Sequence, residues 1–328
     1  MSNIIIWTIL WIIGFIAGYL LIYFSADVFL DNLKELSLKY KISPFILGSI
    51  ILGIDPEESI ASIISSINGL PYVAIGNVIG NSIIAITLCF ALPVFFYKIK
   101  LKSIKQFYFY LIYIALGGIL VGFVFDIPIF YSGIITISVY LINLFYNYRK
   151  SRIKGNSIDF DQEFFGAEME KEDEENEQNK SVKRMVFYVI ISFLIIILGG
   201  ELLIYSTNQL IILTGIGESI FGFIIIAFMT NVEELTLIIK GIKRGRVGLE
   251  IGVGGMIGKI IWNLTLTYGI SVIIIYQIES NIILLLNWLI LVITMLIFNL
   301  LVRKRTLYWK EGILLMTVFT IFIILNFL

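Results

Sequence analysis

The sequence has no histidine, one cysteine, five prolines and only 15% charged residues in 328. Without histidine the chain lacks the usual proton switch near neutral pH and the commonest metal ligand, which argues against zinc and copper chemistry. Cys89 lies alone in an apolar run, so a disulfide framework is excluded and no redox compartment is indicated. With no histidine and no accessible-looking thiol, no nucleophile–base pair is in view, and the chain does not read as an enzyme. The 24 basic and 24 acidic residues cancel. Nothing in that balance points to a nucleic-acid partner.

Apolar residues make up 59% of the chain, and the mean hydropathy is +0.96. Soluble domains run at about 45–50% apolar and about 25% charged. So little polar surface could not cover a water-soluble globule of this length, so the covering solvent is lipid. The chain reads as an all-α, polytopic membrane protein.

A membrane-crossing helix needs about 20 mostly apolar residues. Ten stretches meet that need, near 4–24, 42–66, 72–97, 107–125, 128–147, 185–206, 218–239, 250–276, 281–301 and 311–327. The first is too long for the apolar part of a signal peptide, lacks a basic leader and precedes no small-residue cleavage site. It reads as a retained helix.

Basic residues accumulate on the cytoplasmic side of membrane proteins. Here 23 of the 24 fall in or beside alternate connections: 25–41, 98–106, 148–184, 240–249 and 302–310. The intervening connections, around 67–71, 126–127, 207–217 and 277–280, carry none. The expected topology is a cell-membrane protein with both termini outside and 148–184 inside. The exception is Lys259, within the eighth span, where a lone ammonium is costly unless paired or hydrated.

Segment 148–184 begins basic (Arg149, Lys150, Arg152, Lys154) and turns acidic from Asp159 to Glu177. Such a charge block reads as a solvated linker, with a calcium-sensing strip as the sharper alternative. It divides the chain into 1–147, the linker 148–184, and 185–328, with five spans in each flanking part. Because five is odd, the second half must start from the opposite side, so resemblance between the halves implies inverted repeats.

The halves do resemble each other. Ser25-Ala26-Asp27 and Gly199-Gly200-Glu201 end the first span of each, and a polar cluster ending in a Glu-Glu pair interrupts the next. The third spans open on GNVIGNSIIAITL, with Gly76 and Gly80, and GGMIGKIIWNLTL, with Gly254 and Gly258. Glu58 and Glu234 lie at mirrored depths in oppositely directed spans.

Oxygens within the spans include Asp55, Glu57, Glu58, Ser62, Asn81, Thr230, Asn231, Glu233, Glu234 and Asn263. Carboxylates, amides, hydroxyls and carbonyls are the ligands that Na⁺ and Ca²⁺ prefer. A carboxylate cluster in hydrocarbon needs cations, protons or water to compensate it. Asp55, Glu58 and Ser62 share one helix face, as do Thr230, Asn231 and Glu234. Asn77, Asn81 and Ala85 form one stripe, and Gly255, Lys259 and Asn263 form its counterpart. Pro56 removes an amide donor and should interrupt the helix, freeing carbonyls for an ion.

The pattern resembles the sodium/calcium exchanger family of calcium:cation antiporters. That family carries two inverted repeats, with a G-T-S-L-P-E-like motif on the second span of each half and a G-N-x-I-G-S-N-I-x-N-like motif on the third. The resemblance covers essentially the whole chain and implies that the family's ion-binding glutamates fall on Glu58 and Glu234. Ile54 and Asp55 take the first motif's Thr-Ser, Thr230 and Asn231 the second's. The motif prolines become Glu57 and Glu233. The third-span serines become Asn81 and Lys259, and the final Asn or Asp becomes Ala85 and Asn263.

Lys259 departs most. Its ammonium could be a tethered cation paired with Asp55, Glu58 or Glu234, with Glu58 or Asp55 favoured. It could instead let a proton replace a transported ion, or snorkel to the surface. The expected function is alternating-access antiport of Ca²⁺ or another cation against Na⁺ or H⁺, with no cofactor beyond the transported ions. The competing reading is a transport-inactive or regulatory protein whose site Lys259 neutralises. The expected partners are the bilayer and small cations, and the sequence assigns no oligomeric state.

Overall fold

The computed structural model describes residues 2–39, 55–97, 99–100, 106–125, 127–153, 181–243, 246–279, 281–304 and 306–327. Helices α1 (Ser2–Lys39), α2 (Pro56–Ile67), α3 (Pro71–Phe96), α4 (Gln106–Val124), α5 (Phe130–Ile153) and α6 (Val182–Thr214) come first. Helix α7 runs from Glu218–Ile220 through a π-helical turn, Phe221–Ile226, into Ala227–Thr230, and α8 spans Val232–Lys243. Helix α9 joins Arg246–Trp262, a π-helical turn at Asn263–Thr267 and Tyr268–Ile275. Helices α10 (Ile282–Lys304) and α11 (Trp309–Phe327) complete the described chain. A two-residue antiparallel ladder pairs β1 (Ile99–Lys100) with β2 (Thr306–Leu307).

Eight helices among the described residues are long and apolar enough to cross a membrane, and Phe130–Tyr146 is a shorter apolar helix. The protein is an all-α, multi-pass membrane protein. Of the span expected at 42–66, residues 42–54 lie outside the described residues. Two expected boundaries move. Helix α1 continues through Ser25-Ala26-Asp27 to Lys39, because neither Gly nor Pro occurs between Gly18 and Pro44 to stop it. Helix α6 likewise runs past Glu201 to Thr214, where Gly215 adopts φ +70° and ends it.

The chain divides into two compact units, 1–60 with 141–213 and 61–140 with 214–328, the division passing within α2 and α5. In the first unit α1 and α6 cross on small residues. A Cβ on Gly18 would lie 2.6 Å from the Leu203 amide nitrogen, and one on Gly199 2.9 Å from the Gly18 carbonyl oxygen. Trp11 stacks edge-on against Tyr205 beside that crossing. Ile4, Ile5, Ile6, Trp7 and Ile9 are each more than half exposed. An apolar surface of that kind suits acyl chains, not water.

In the second unit α3 is buried on all sides from Val73 to Thr87, as expected of a bundle's central helix. Its Gly76 and Gly80 lie against the π-helical turn of α7. A Cβ on Gly80 would stand 2.2 Å from the Phe223 carbonyl oxygen, and one on Gly222 2.6 Å from the Tyr72 oxygen. Only glycine lets these backbones approach so closely. Helix α2 ends on Gly69 at φ +71°, with the Leu70 amide bonded to the Ser65 carbonyl, so the chain turns directly into α3. Asn287 and Asn326 exchange side-chain amide hydrogen bonds of 2.9 and 2.8 Å between α10 and α11. The β1–β2 ladder is flanked by the Lys304–Glu311 ion pair.

Candidate cation site

Two short helices carry the glutamate pairs, and each begins in the same way. Helix α2 starts with Pro56 at its first position, where a missing amide costs nothing. Asp55 precedes it, and its Oδ1 accepts a 3.3 Å hydrogen bond from the Glu58 amide. That is the cap expected of an aspartate at this place. Helix α8 starts at Val232, one residue after Asn231 turns the chain out of α7. Both helices are 12 residues long, and their glutamates occupy the second and third positions. First-turn amides and the helix dipole favour carboxylates there. Asp55, Glu57 and Glu58 are buried, with Glu58 at 0% exposure. Ser62, one turn beyond Glu58, accepts a 2.9 Å hydrogen bond from the Asn77 amide.

In the second unit Asn81 of α3 locks onto the α7–α8 break. Its Nδ2 donates to Thr230 Oγ1 at 2.9 Å, and Asn231 Nδ2 donates back to the Asn81 carbonyl at 3.1 Å. Asn231 Nδ2 also donates to the Ala227 carbonyl at 2.7 Å, taking up an acceptor at the end of α7. The break is therefore held by side chains as well as by backbone. In the first half Pro56 opens α2. In the second, Asn231 and its amide mark the break between α7 and α8.

Helix α9 brings Lys259 to the start of α8. The ammonium donates to Glu234 Oε1 at 2.7 Å and to Glu233 Oε2 at 3.0 Å. Glu234 is buried, Lys259 nearly so, and Glu233 more exposed. The sequence pointed first to Glu58 or Asp55 as the partner of this lysine, and the ion pairs described here are with Glu234 and Glu233. Glu233 stands about 100° around α8 from Glu234. Its side chain nonetheless reaches the same ammonium, because consecutive first-turn carboxylates can converge on a donor lying beyond the helix end. Asn263, one turn past Lys259, opens the π-helical turn of α9 and accepts a 3.3 Å hydrogen bond from Thr267.

That turn has a twin in α3. Ala85–Cys89 is also π-helical, and Ala85 and Asn263 lie 178 positions apart, as do Gly76 and Gly254. Within the two turns Thr87 and Thr265 each bond the carbonyl four residues back, on Ile83 and Ile261. π-Helical turns leave backbone carbonyls out of the regular ladder and concentrate at functional sites. The repeat motifs already paired Ala85 with Asn263, but the π-helical form of both turns was not legible from the apolar pattern. Two further members of the site were also passed over. Cys89 Sγ approaches the Asn231 carbonyl at 3.3 Å, and continuing the Asn77–Asn81–Ala85 stripe by one turn would have reached it. Asn77, noted on that stripe but not taken as a ligand, holds Ser62. Ile54 lies outside the described residues.

Comparison with known proteins agrees with this geometry. A family model described as sodium/calcium exchanger protein matches residues 10–149 and 184–328. An uncharacterised membrane protein of Methanocaldococcus jannaschii is 25% identical over 245 residues, 73% of this chain and 74% of its own length. The sodium-calcium exchanger NCX_Mj soaked with 2.5 mM Na⁺ and 10 mM Sr²⁺ superposes with a TM-score of 0.58 at 21% identity, over 96% of this chain and 98% of that one. The same exchanger soaked with zero Na⁺ and Ca²⁺ gives 0.56 at 20% identity, with the same coverage. At such identities the likeness establishes the fold.

Proposed function

The chain belongs to the sodium/calcium exchanger family, and from that premise we propose that it exchanges Ca²⁺ or another cation against Na⁺ or H⁺ by alternating access. It is a membrane transporter and not an enzyme. On this reading the halves 1–147 and 185–328 are inverted five-helix repeats joined by a cytoplasmic linker, 148–184, with both termini outside. Glu58 and Glu234 are the principal cation ligands. Asp55, Ser62, Asn81, Thr230, Asn231 and Asn263 supply further oxygens, and Glu57, Glu233 and Lys259 adjust the charge.

The observation that carries the reading is the repeated start of α2 and α8: twelve-residue helices, each with a glutamate pair in its first turn. Buried carboxylates within membrane spans call for cationic compensation, and oxygen-only ligands suit hard cations. The matching π-helical turns of α3 and α9 support a repeat built around the same place. One observation favours a second reading. The Lys259 ion pairs with Glu233 and Glu234 fit a transport-inactive protein whose site is neutralised from within. Uptake of ⁴⁵Ca²⁺ or ²²Na⁺ into proteoliposomes under opposed Na⁺ and pH gradients separates the two. Gradient-driven uptake supports exchange. Its absence under every gradient, in protein that is folded, supports the inactive alternative.

A further inference from the structure

Lys259 is the basic residue that the topology does not place at a membrane face, and its surroundings are those of a bound cation. The ammonium meets two carboxylates, at 2.7 Å on Glu234 and 3.0 Å on Glu233. Met256 and Ile260 of the same helix are buried and the Lys259 side chain is only 16% exposed, so the head group is delivered from a packed helix and not from a loose surface chain. An ammonium is donor-only, with three protons to place. On the Glu234 oxygen it takes the position that a metal ion would need, since Ca²⁺ binds carboxylate oxygen at about 2.3–2.6 Å. Two cations bridged by one oxygen at such distances repel each other strongly.

We propose that Lys259 is a resident cation: its tethered ammonium permanently fills one cation position on Glu234 and Glu233, so that the protein binds one monovalent charge fewer than the same oxygens would hold without it. The inference rests on the exchange reading only in taking Glu234 as a cation ligand. Tethering explains how a lysine holds that place against mobile ions. A group fixed to the chain beside its partner acts at an effective concentration in at least the millimolar range, and it is present in every state of the cycle. Its charge stays with the protein, so each cycle translocates one bound charge fewer.

The test compares cation-dependent thermal stability of the full-length protein, purified as wild type, Lys259→Ser and Lys259→Met, in choline chloride with and without added Na⁺, Ca²⁺ or methylammonium at constant ionic strength. Serine opens the position to an ion, and methionine keeps the stem's length and packing without its charge. Where a vacated position becomes an ion site, saturating Na⁺ or methylammonium should raise the Tm of the variants by about 4 °C more than that of wild type. A variant that survives purification in Na⁺ but not in choline gives the same answer. Should Lys259→Ser not fold in any salt, Lys259→Met carries the comparison. Variants whose Tm responds to each cation no more than wild type does would overturn the proposal. Counterflow by the wild type tests the exchange reading separately, so failure of one leaves the other standing.

Discussion

Asn81 and Thr230, separated by 149 positions, are joined side chain to side chain by a buried hydrogen bond of 2.9 Å. The bond ties the middle of α3 to the last residue of α7, and Asn231 returns a bond to the Asn81 carbonyl. Both residues were expected as separate ligands. Their coupling makes the α7–α8 break a fixed structural feature, which is what a preformed site in lipid requires.

Asn81→Ala removes the donor and leaves the Thr230 hydroxyl and neighbouring carbonyls to find other partners. The loss of one buried hydrogen bond should lower stability by about 1–3 kcal/mol. It should also weaken cation binding, because Thr230 loses its side-chain partner on α3, while the Asn231 bond to the backbone carbonyl of residue 81 is kept. Chemical denaturation and ²²Na⁺ binding check the two effects. Asn81→Ser, which keeps a hydroxyl, should recover part of the affinity.

Gly80→Ala places a methyl group against the Phe223 carbonyl and forces α3 away from α7. The expected cost is about 3 kcal/mol or more. Gly258 occupies the matching position of α9, and nothing lies within 4 Å of a Cβ built there. Gly258→Ala should therefore be neutral, or stabilising by up to about 1 kcal/mol through helix propensity alone. Thermal unfolding of the two variants side by side distinguishes a close crossing from a generic intolerance of alanine in these spans.

The topology rests on charge placement. A cysteine introduced at Ser157 should resist a membrane-impermeant maleimide in intact cells and react once the membrane is opened. A cysteine at Gly217, between α6 and α7, should react from outside. The opposite pattern would invert the assigned orientation.

Much of this was legible in the sequence, and the exceptions share a cause. Hydropathy located the eight membrane-length helices among the described residues because lipid demands continuous apolar runs, and the first glycine motif, Gly76 and Gly80, falls at the α3–α7 crossing because only small residues allow it. The ends of α1 and α6 were placed too early, since hydropathy records where the membrane stops and not where a helix stops. Helix α6 ends where Gly215 permits it, and α1 meets no glycine or proline from residue 19 to Lys39. The partner of Lys259 was placed on Glu58 or Asp55 because spacing along the chain does not show where α9 meets α8. The π-helical turns went unseen because they change backbone pairing without changing which residues are apolar. Cys89 was dismissed with its apolar neighbours, although its register already placed it on the Asn81 stripe.

Na⁺-gradient-driven ⁴⁵Ca²⁺ uptake into proteoliposomes by wild type, Glu58→Gln and Glu234→Gln, with folding verified for each, tests exchange and its two principal ligands together. Uptake by wild type that falls at least about 100-fold in both variants is the predicted result, since loss of a charged ligand in a low-dielectric site is worth roughly 3 kcal/mol or more. Wild-type rates in both variants would contradict it.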